Sequence, residues 1–390
     1  MHKRPTFLSY GKQSIDEADI AAVVETLRSP FLTQGPKVEE FEQSVADYVG
    51  AKYAVAFSNG TAALHGACYA AGIGEGDEVI TTPITFAATS NAVLYCGGTP
   101  VFADIDAQTY NIDPKEIKKN ITSKTKAIIP VDFTGQPVNL DEIMSIAEEN
   151  NLIVIEDGAH SFGASYKGHK IGSQAHMTMF SFHPVKPITT AEGGVITTNS
   201  KEYYKKLKLF RSHGIAKTPY AEEQGDWYYE MTDLGFNYRM TDLQAALGLS
   251  QMNKIDKFIT RRREIAEMYN EELDKIPGVI LPKQLDETNS GWHLYMIQLD
   301  QTVLNKTRKE VFNEMRLCNI GVHVHYIPVY WHPYYKNLGY KKGICPRAEE
   351  WYEQALTLPI FPGMKDEDVM DVVCILKENL RLYSNDNNLI

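Results

Sequence analysis

The chain has 390 residues, of which 43% are hydrophobic and 23% charged, so it is long enough for a large core and more than one domain. No segment approaches the ~20 apolar residues of a membrane span, and no secretory signal opens the chain. The net charge of −11 without a dense basic run disfavours nucleic-acid binding, and five scattered cysteines favour a reducing cytoplasm over a disulfide framework or structural zinc site.

Short apolar runs alternate with helix-like segments through the first two-thirds of the chain. The runs are 54–57, 78–81, 100–102, 127–131 and 152–155, and the helix-like segments are 61–71, 87–95 and 140–150. This alternation predicts a mostly parallel sheet with helices on both faces. Residues 177–182 and 194–198 are predicted to add two strands in a hairpin-like arrangement around 184–193.

The last third of the chain has a different arrangement of predicted helices and strands. One long helix is predicted over about 240–274, followed after Pro277-Gly278 by strands at 294–299 and 322–327 and helices at 308–317 and 366–379. These elements indicate a smaller α+β domain. We expect a large domain over 1–250, including an N-terminal arm, a small domain over 251–390 and a polar tail at 384–390.

The segment 58–64, Ser-Asn-Gly-Thr-Ala-Ala-Leu, follows a predicted strand and opens a predicted helix. Gly60 permits a tight turn, and the free N–H groups of a helix start can hold an anion such as a phosphate. Taken alone, the segment is better interpreted as an ordinary turn capped by its Ser, Asn and Thr side chains.

An apolar strand ends in Glu156 and Asp157. In open α/β sheets ligands bind at the carboxyl ends of strands, where an acid can pair with a cationic ring nitrogen. The alternative is a loop or helix cap. For Glu156 a structural role is the better interpretation.

Lys186 lies in a charge-poor segment, 180–194, between two predicted strands and flanked by Pro184 and Pro187. A lysine in a partly dry pocket has a lowered pKa and can act as a nucleophile. The alternative is a surface hairpin tip with a single charge.

Two later segments carry weaker signals. Residues 233–242 indicate a loop before a helix, in which Asn237 and Arg239 are candidates for anion contact. His323, His325 and Tyr326 are predicted on a strand before Pro328. A strand face near a cleft entrance is preferred there to a metal site, because no acid or cysteine completes a ligand set; no metal is predicted.

In order and spacing, these segments together resemble the DegT/DnrJ/EryC1/StrS family of nucleotide-sugar aminotransferases. The resemblance extends from 31–36, Phe-Leu-Thr-Gln-Gly-Pro, to 321–333. It implies an α/β protein of fold-type I of the PLP-dependent transferases. Such a protein has a large domain with a mostly parallel seven-stranded sheet flanked by helices, and a smaller C-terminal α+β domain.

The resemblance also implies residue roles. Lys186 would hold pyridoxal 5'-phosphate (PLP, or PMP in its amine form) as a Schiff base and shuttle the proton, and Asp157 would pair with the pyridinium nitrogen. The further cofactor contacts would be Phe86 on the ring, Gly60, Thr61 and Ser181 on the phosphate, and His160 close by. Asn237 would reach the phosphate from a partner subunit, which implies a homodimer with shared active sites.

The softer candidates for the substrate pocket are Thr33, Gln34, His325 and Tyr326. One departure is visible: the family often has Gly-Glu-Gly-Gly after the lysine, where this chain has Ala191-Glu192-Gly193-Gly194. We expect the extra methyl group to tighten the turn without removing the chemistry.

Within the family the chain looks most like the members of pseudaminic acid synthesis, on the segments 181–190 and 323–328. Those members aminate C4 of a UDP-linked 4-keto-6-deoxy-2-acetamido sugar, with glutamate as donor in relatives. A different nucleotide-linked keto sugar, aminated at C3 or C4, is the alternative.

The sequence disfavours three other functions. A dehydratase on this scaffold would have His in place of Lys186. A nicotinamide-dependent oxidoreductase would have GxGxxG after its first strand, whereas the nearest glycine cluster, 71–76, follows a helix. A non-catalytic regulator is disfavoured by the joint presence of Lys186, Asp157 and Asn237.

Overall fold

The computed structural model describes residues 2–380. The strands are β1 Tyr53–Phe57, β2 Glu78–Thr81, β3 Thr99–Phe102, β4 Thr125–Ile129, β5 Ile153–Asp157, β6 Ser165–Tyr166, β7 His169–Lys170, β8 Met177–Ser181, β9 Gly194–Thr198, β10 Ile215–Ala216, β11 Glu230–Met231, β12 Val279–Ile280, β13 Thr288–Asn289, β14 Tyr295–Leu299 and β15 Ala355–Leu358. The helices are α1 Glu17–Arg28, α2 Pro36–Val49, α3 Gly60–Ala70, α4 Ala88–Tyr95, α5 Pro114–Asn120, α6 Leu140–Glu149, α7 Lys201–Phe210, α8 Pro219–Gln224, α9 Asp242–Met252, α10 Ile255–Leu273, α11 Arg308–Leu317, α12 Pro333–Asn337, α13 Pro346–Gln354 and α14 Asp366–Leu380.

The central sheet has seven strands in the order β1-β9-β8-β5-β4-β2-β3. The pairs from β8 through β3 are parallel, whereas β9 runs antiparallel to both β8 and β1. The predicted seven-stranded, mostly parallel sheet and the hairpin of its two last strands are confirmed. The carboxyl ends of β4, β5 and β8 therefore meet at one edge, where ligands bind in folds of this kind.

The sheet is buried on both faces, because successive side chains of each strand point to opposite sides. Val154 belongs to the core formed with α2, α6 and α9, and its neighbour Ile155 belongs to the core formed with α3, α4 and α7. Ile128 and Ile129 of β4 divide in the same way. A strand made of consecutive Val and Ile residues fits this position, since neither face meets water.

A smaller antiparallel sheet, β12-β14-β15, lies in the C-terminal part and packs with α11 and α14. Helix α10 contributes to two cores: Phe258 and Ile259 pack with the large sheet, and Ile265 and Tyr269 pack with the small one. The expected division at 250/251 stays a prediction. Residues near the N-terminus pack on the C-terminal part, where Leu8 forms a bridge with Ile320.

Two predicted elements are wrong. The single helix over 240–274 is two helices, because α9 ends at Met252 and the chain turns before α10, with the Lys254 amide donating to the Gln251 carbonyl. The turn lets α9 pack against α1 and α2 while α10 continues to the small sheet.

The strand predicted at 322–327 is absent from the described structure, which pairs only His323, in a single bridge with Thr357. The segment leaves β15 and approaches β2, since the Val329 amide donates to the Pro83 carbonyl.

The tail at 384–390 lies outside the described residues. None of the helices between residues 2 and 380 has the length and apolar character to cross a membrane.

Candidate active site

Asp157 ends β5 at the ligand-binding edge of the sheet, and its side chain is buried. One carboxylate oxygen accepts a hydrogen bond from the Thr89 hydroxyl at 2.7 Å, and the other accepts one from the Ala159 amide at 3.1 Å. Thr89 is held in turn by the Thr85 hydroxyl at 2.7 Å. The sequence-predicted acid is thus fixed in one orientation by α4 and by the turn that follows β5.

Burial raises the pKa of Asp157, and the hydrogen bonds from Thr89 and Ala159 together with the charge of Lys186 oppose that rise. Two more carboxyl groups, Asp132 and Glu156, are buried beside it. Burial raises the pKa of Asp132 to about 7 and that of Glu156 well above its usual value. A cationic ligand next to Asp157 would therefore be favoured, because it would compensate a charge that burial disfavours.

Lys186 lies in the loop between β8 and β9, as predicted, and its side chain is partly buried. Desolvation lowers the pKa of its amine to about 8; the charge of Asp157 opposes this shift, and that of Arg262 adds to it. Much more of this amine is neutral at neutral pH than of an ordinary lysine, whose pKa is about 10.4. Lys186 and Asp157 are close enough for each to shift the other's pKa.

Three buried histidines surround the amine: His160, His293 and His325. The Lys186 Nζ lies 3.4 Å from the Nε2 of His293, whose ring centroid is 4.4 Å from that of His160. Burial lowers the pKa of His160 and His293 well below the usual value and that of His325 to about 3. All three are therefore neutral at neutral pH.

Sequence reasoning missed His293. It follows Gly291 and Trp292 in a segment that carries no local pattern for a ligand or a nucleophile. Its place near Lys186 depends on Gly135, where a β-carbon would lie 2.8 Å from the Trp292 nitrogen and 2.9 Å from the His160 carbonyl oxygen. No spacing rule links these segments, since they are far apart in the chain.

The start of α3 and the end of β8 form a small cradle. The Asn59 side chain accepts from the Ala62 amide at 2.8 Å, and a β-carbon at Gly60 would lie 3.2 Å from that of Ser181. The first-turn amides of a helix, here those of Gly60 and Thr61, have no partner within the helix and can bind an anion. The predicted phosphate residues Gly60, Thr61 and Ser181 thus lie together.

Phe86 is 62% exposed although its neighbours are buried. Its ring centroid lies 6.3 Å from that of Tyr326, whose hydroxyl is 3.3 Å from the His160 Nε2. The Nδ1 of His325 lies 2.9 Å from the Thr357 hydroxyl. The structure therefore brings Phe86, His160, His325 and Tyr326 to the same side of the pocket, with Phe86 free to stack on a ring.

Three predicted site residues are not tied to the pair of Lys186 and Asp157. Thr33 forms a bridge with Thr241, Gln34 is exposed beside it, and Asn237 is exposed and forms a bridge with Ser212. Within residues 2–380 none of the three is hydrogen-bonded to Lys186 or Asp157. Their roles at the site stay predictions.

This arrangement fits PLP. Asp157 would face the ring nitrogen, Lys186 the aldehyde, the cradle at Gly60 the phosphate and Phe86 the ring. When bound, PLP supplies an electron sink for breaking a C–H bond beside an imine. The described part of the chain contains no group of three or more His, Cys, Asp or Glu side chains that could hold a metal ion.

Known proteins with the same sequence pattern are numerous. The profile of the DegT/DnrJ/EryC1/StrS aminotransferase family matches residues 13–377. Spore coat polysaccharide biosynthesis protein SpsC of Bacillus subtilis is 44% identical over 377 residues, which are 96% of this chain and 97% of that protein. UDP-4-amino-4,6-dideoxy-N-acetyl-beta-L-altrosamine transaminase of Campylobacter jejuni is 40% identical over 364 residues, which are 93% of this chain and 94% of that protein.

Comparison with solved structures points to the same family. Helicobacter pylori PseC, an aminotransferase involved in the biosynthesis of pseudoaminic acid, superposes with a TM-score of 0.90 at 33% identity, covering 96% of this chain and 99% of its own. A sugar aminotransferase with the same fold has been solved in PLP and PMP forms. The chain therefore belongs to the DegT/DnrJ/EryC1/StrS aminotransferase family and is a PLP-dependent aminotransferase.

Proposed function

We propose that this enzyme moves the amino group of L-glutamate to the C4 ketone of a UDP-linked 4-keto-6-deoxy-N-acetylated hexose, as in pseudaminic acid synthesis. The observation that carries the chemistry is the pairing of Lys186, whose pKa is lowered to about 8, with the buried Asp157 carboxylate in one pocket. A neutral amine in a dry site can attack an aldehyde and can later accept and return a proton.

Each side chain has a separate task in this proposal. Asp157, held by Thr89, keeps a cationic ring nitrogen charged. Lys186 accepts a proton from the α-carbon of the donor in the first half-reaction. In the second half-reaction it donates a proton to one face of the sugar carbon, which sets the configuration of the product. His160 and Tyr326 enclose the pocket and limit the water that competes for the reacting carbon.

The sugar is inferred from relatives. The Campylobacter protein is named for a 4-amino-4,6-dideoxy UDP-sugar, and the Helicobacter structure for pseudaminic acid. The Bacillus relative, with a higher identity of 44%, is named for a spore coat polysaccharide instead. A different nucleotide-linked keto sugar, aminated at C3 or C4, is therefore the second candidate.

We also propose a cytoplasmic homodimer in which Asn237 of each chain reaches the cofactor phosphate of the other. Two observations support the dimer: Asn237 is exposed and, among the described residues, has no hydrogen bond to Lys186 or Asp157, and large apolar side chains in the same stretch of chain are exposed, among them Trp227 at 80% and Leu234 at 72%. Contiguous exposed apolar surface commonly marks an interface. The five free cysteines suit a reducing compartment.

The first experiment is an absorption spectrum of the purified protein with PLP, before and after L-glutamate. We expect a yellow band that bleaches with glutamate and, after borohydride reduction, a stable adduct on Lys186. The Lys186→Ala variant should form neither. Lys167→Ala is the matched control, because Lys167 is an exposed lysine paired with Asp141 away from the pocket.

A second measurement settles the acceptor. The PMP-loaded enzyme is mixed with the UDP-linked 4-keto sugar or with a 3-keto isomer, and return of the yellow band is followed. Recovery with the 4-keto sugar alone supports the proposal, and recovery with the 3-keto isomer alone replaces it with the second candidate. A band that responds to no amino donor would contradict transamination itself.

A further inference from the structure

His293 has no role in the chemistry described so far. Among the side chains with an observed contact to the Lys186 amine, it is the nearest. Its Nε2 lies 3.4 Å from the Lys186 Nζ, its ring packs on His160, and only 4% of its surface is exposed. A side chain in this place must affect where the amine lies when it is not bound to the cofactor.

The chemical state of His293 limits what it can do. Burial lowers its pKa well below the usual value, and the charges of Lys186 and Arg262 lower it further. The imidazole is therefore neutral and cannot carry a proton through the reaction at neutral pH. With the proton on Nδ1, which has no partner within the described residues, Nε2 is free to accept a hydrogen bond from the amine.

Arg262 holds the backbone of this histidine in place. Its side chain is fully buried, and one guanidinium nitrogen donates to the carbonyl oxygens of Trp292 at 3.1 Å, His293 at 3.2 Å and Ile360 at 3.0 Å. Among the described residues, no carboxylate forms an ion pair with Arg262. Its hydrogen bonds are made to the backbone that carries His293 instead.

We propose that His293 is a positioning residue for the Lys186 amine and that Arg262 is the support that holds His293 in place. The inference rests on the proposed role of Lys186. A lysine side chain loses considerable rotamer entropy when it is fixed. A hydrogen bond to His293 gives the released amine one preferred position, from which it returns to the same face of the reacting carbon.

The test is the pH dependence of PLP capture by the full-length protein after its cofactor has been removed. The capture rate follows the neutral fraction of Lys186, so we expect a midpoint near the pKa of about 8 in the wild type. The charged groups that contribute to this midpoint are Asp157 and Arg262. The titratable groups that also face Lys186 are His160, His183, His293 and His325.

His293→Leu removes the acceptor, so the charged amine loses a hydrogen bond and the midpoint should fall by about one pH unit. His293→Gln offers an amide oxygen at a similar distance from the backbone and should restore the wild-type midpoint. His65→Leu is the matched control: His65 is equally buried, but it lies in α3 against Tyr238. It should leave the midpoint unchanged.

Arg262→Lys keeps the buried charge but cannot reproduce the three carbonyl contacts, so its midpoint should fall toward that of His293→Leu, and a wild-type midpoint would contradict the supporting role. Arg262→Met also removes the charge that lowers the pKa of Lys186, so its midpoint should lie above that of Arg262→Lys. If the Arg262 variants do not fold, the three histidine variants decide. A His293→Leu midpoint equal to that of the wild type, or a His293→Gln midpoint as low as that of His293→Leu, overturns the inference. If the wild type captures no PLP through Lys186, it is the proposed function that fails.

Discussion

Single residues at the end of β5 show how position decides the role of a carboxyl group. Glu156 and Asp157 are adjacent, so they point to opposite sides of the strand. Asp157 accepts two hydrogen bonds and faces the Lys186 charge, whereas Glu156 accepts one, from the Thr178 hydroxyl, and leaves its other oxygen without a partner. Burial raises the pKa of Glu156 well above its usual value, which disfavours the charged form of this carboxyl.

This difference predicts unequal effects of two similar substitutions. Asp157→Asn removes a charge that keeps the ring nitrogen cationic, so the glutamate half-reaction should slow by roughly 100-fold or more. Glu156→Gln replaces a carboxyl whose charged form burial disfavours with an amide of similar shape and should slow it by less than about threefold. Stopped-flow bleaching of the yellow band measures both rates. Equal losses would show that the charge of Asp157 is not what matters.

Lys186 and Asp157 could be predicted because each lies in a segment with a local signal, a charge-poor, proline-flanked loop and an apolar strand ending in acids, and because the order and spacing of these segments resemble the family. His293 and Arg262 could not. Their importance comes from tertiary contacts that no local pattern reveals: Lys186 and His293 are 107 positions apart, and Arg262 and His293 are 31 positions apart. Sequence periodicity reports only which face of an element is buried.

Among the elements, the loop after β4 determines how closely the site segments approach one another. Gly135 has φ of 106°, and its carbonyl accepts from the Gly291 amide at 2.9 Å. The neighbouring Thr134 carbonyl accepts from the Leu294 amide at 3.1 Å. The backbone that carries His293 is thus joined to the loop after β4, directly beside the turn that carries His160.

Gly135→Ala should therefore cost more than backbone strain alone. Its β-carbon would lie within 3.1 Å of three backbone atoms, so we expect a loss of about 3 kcal/mol in the free energy of unfolding. The control is Gly168→Ala, which also has positive φ, at 80°, but has no atom within 4 Å of a β-carbon. It should cost about 1 kcal/mol. Urea denaturation measures both, and equal losses would contradict the crowding argument.

The incorrectly predicted elements have a common cause. The apolar pattern over 240–274 continues across the break at Asn253 and Lys254, because both helices bury a face, and periodicity does not reveal a change in axis. The alternating residues at 322–327 are typical of a strand. In the structure the side chains of His325 and Tyr326 contact Thr357 and His160 at the pocket, and the segment does not run along the sheet. Tertiary contacts decided both cases.

At the scale of the whole molecule, the fold was predictable to the level of its layers, because alternating strands and helices admit few arrangements. The sites of Thr33, Gln34 and Asn237 were not, since all three lie on exposed surface of one subunit. In the proposed dimer, a second copy of the chain brings Asn237 to the pocket, and the activity of mixed dimers tests that arrangement.

Mixing two inactive variants tests the shared pocket. In a heterodimer of Lys186→Ala and Asn237→Ala chains, one pocket carries both lesions and the other carries neither. Random exchange of subunits should therefore restore about a quarter of the wild-type activity. Sedimentation confirms that dimers form, and Asn199→Ala in place of Asn237→Ala is the control. An active monomer, or mixtures that recover nothing, would argue against the shared site.

The order of the strands also bears on how the chain folds while it is being synthesised. The cradle joins Gly60, after β1, to Ser181, at the end of β8, yet β9 lies between these two strands in the sheet. β9 is synthesised after both and must insert between them, pairing with each. A chain still emerging from the ribosome thus presents the Lys186 amine before any phosphate cradle exists, and the cofactor can be held only once translation has passed β9 and that strand has closed the sheet.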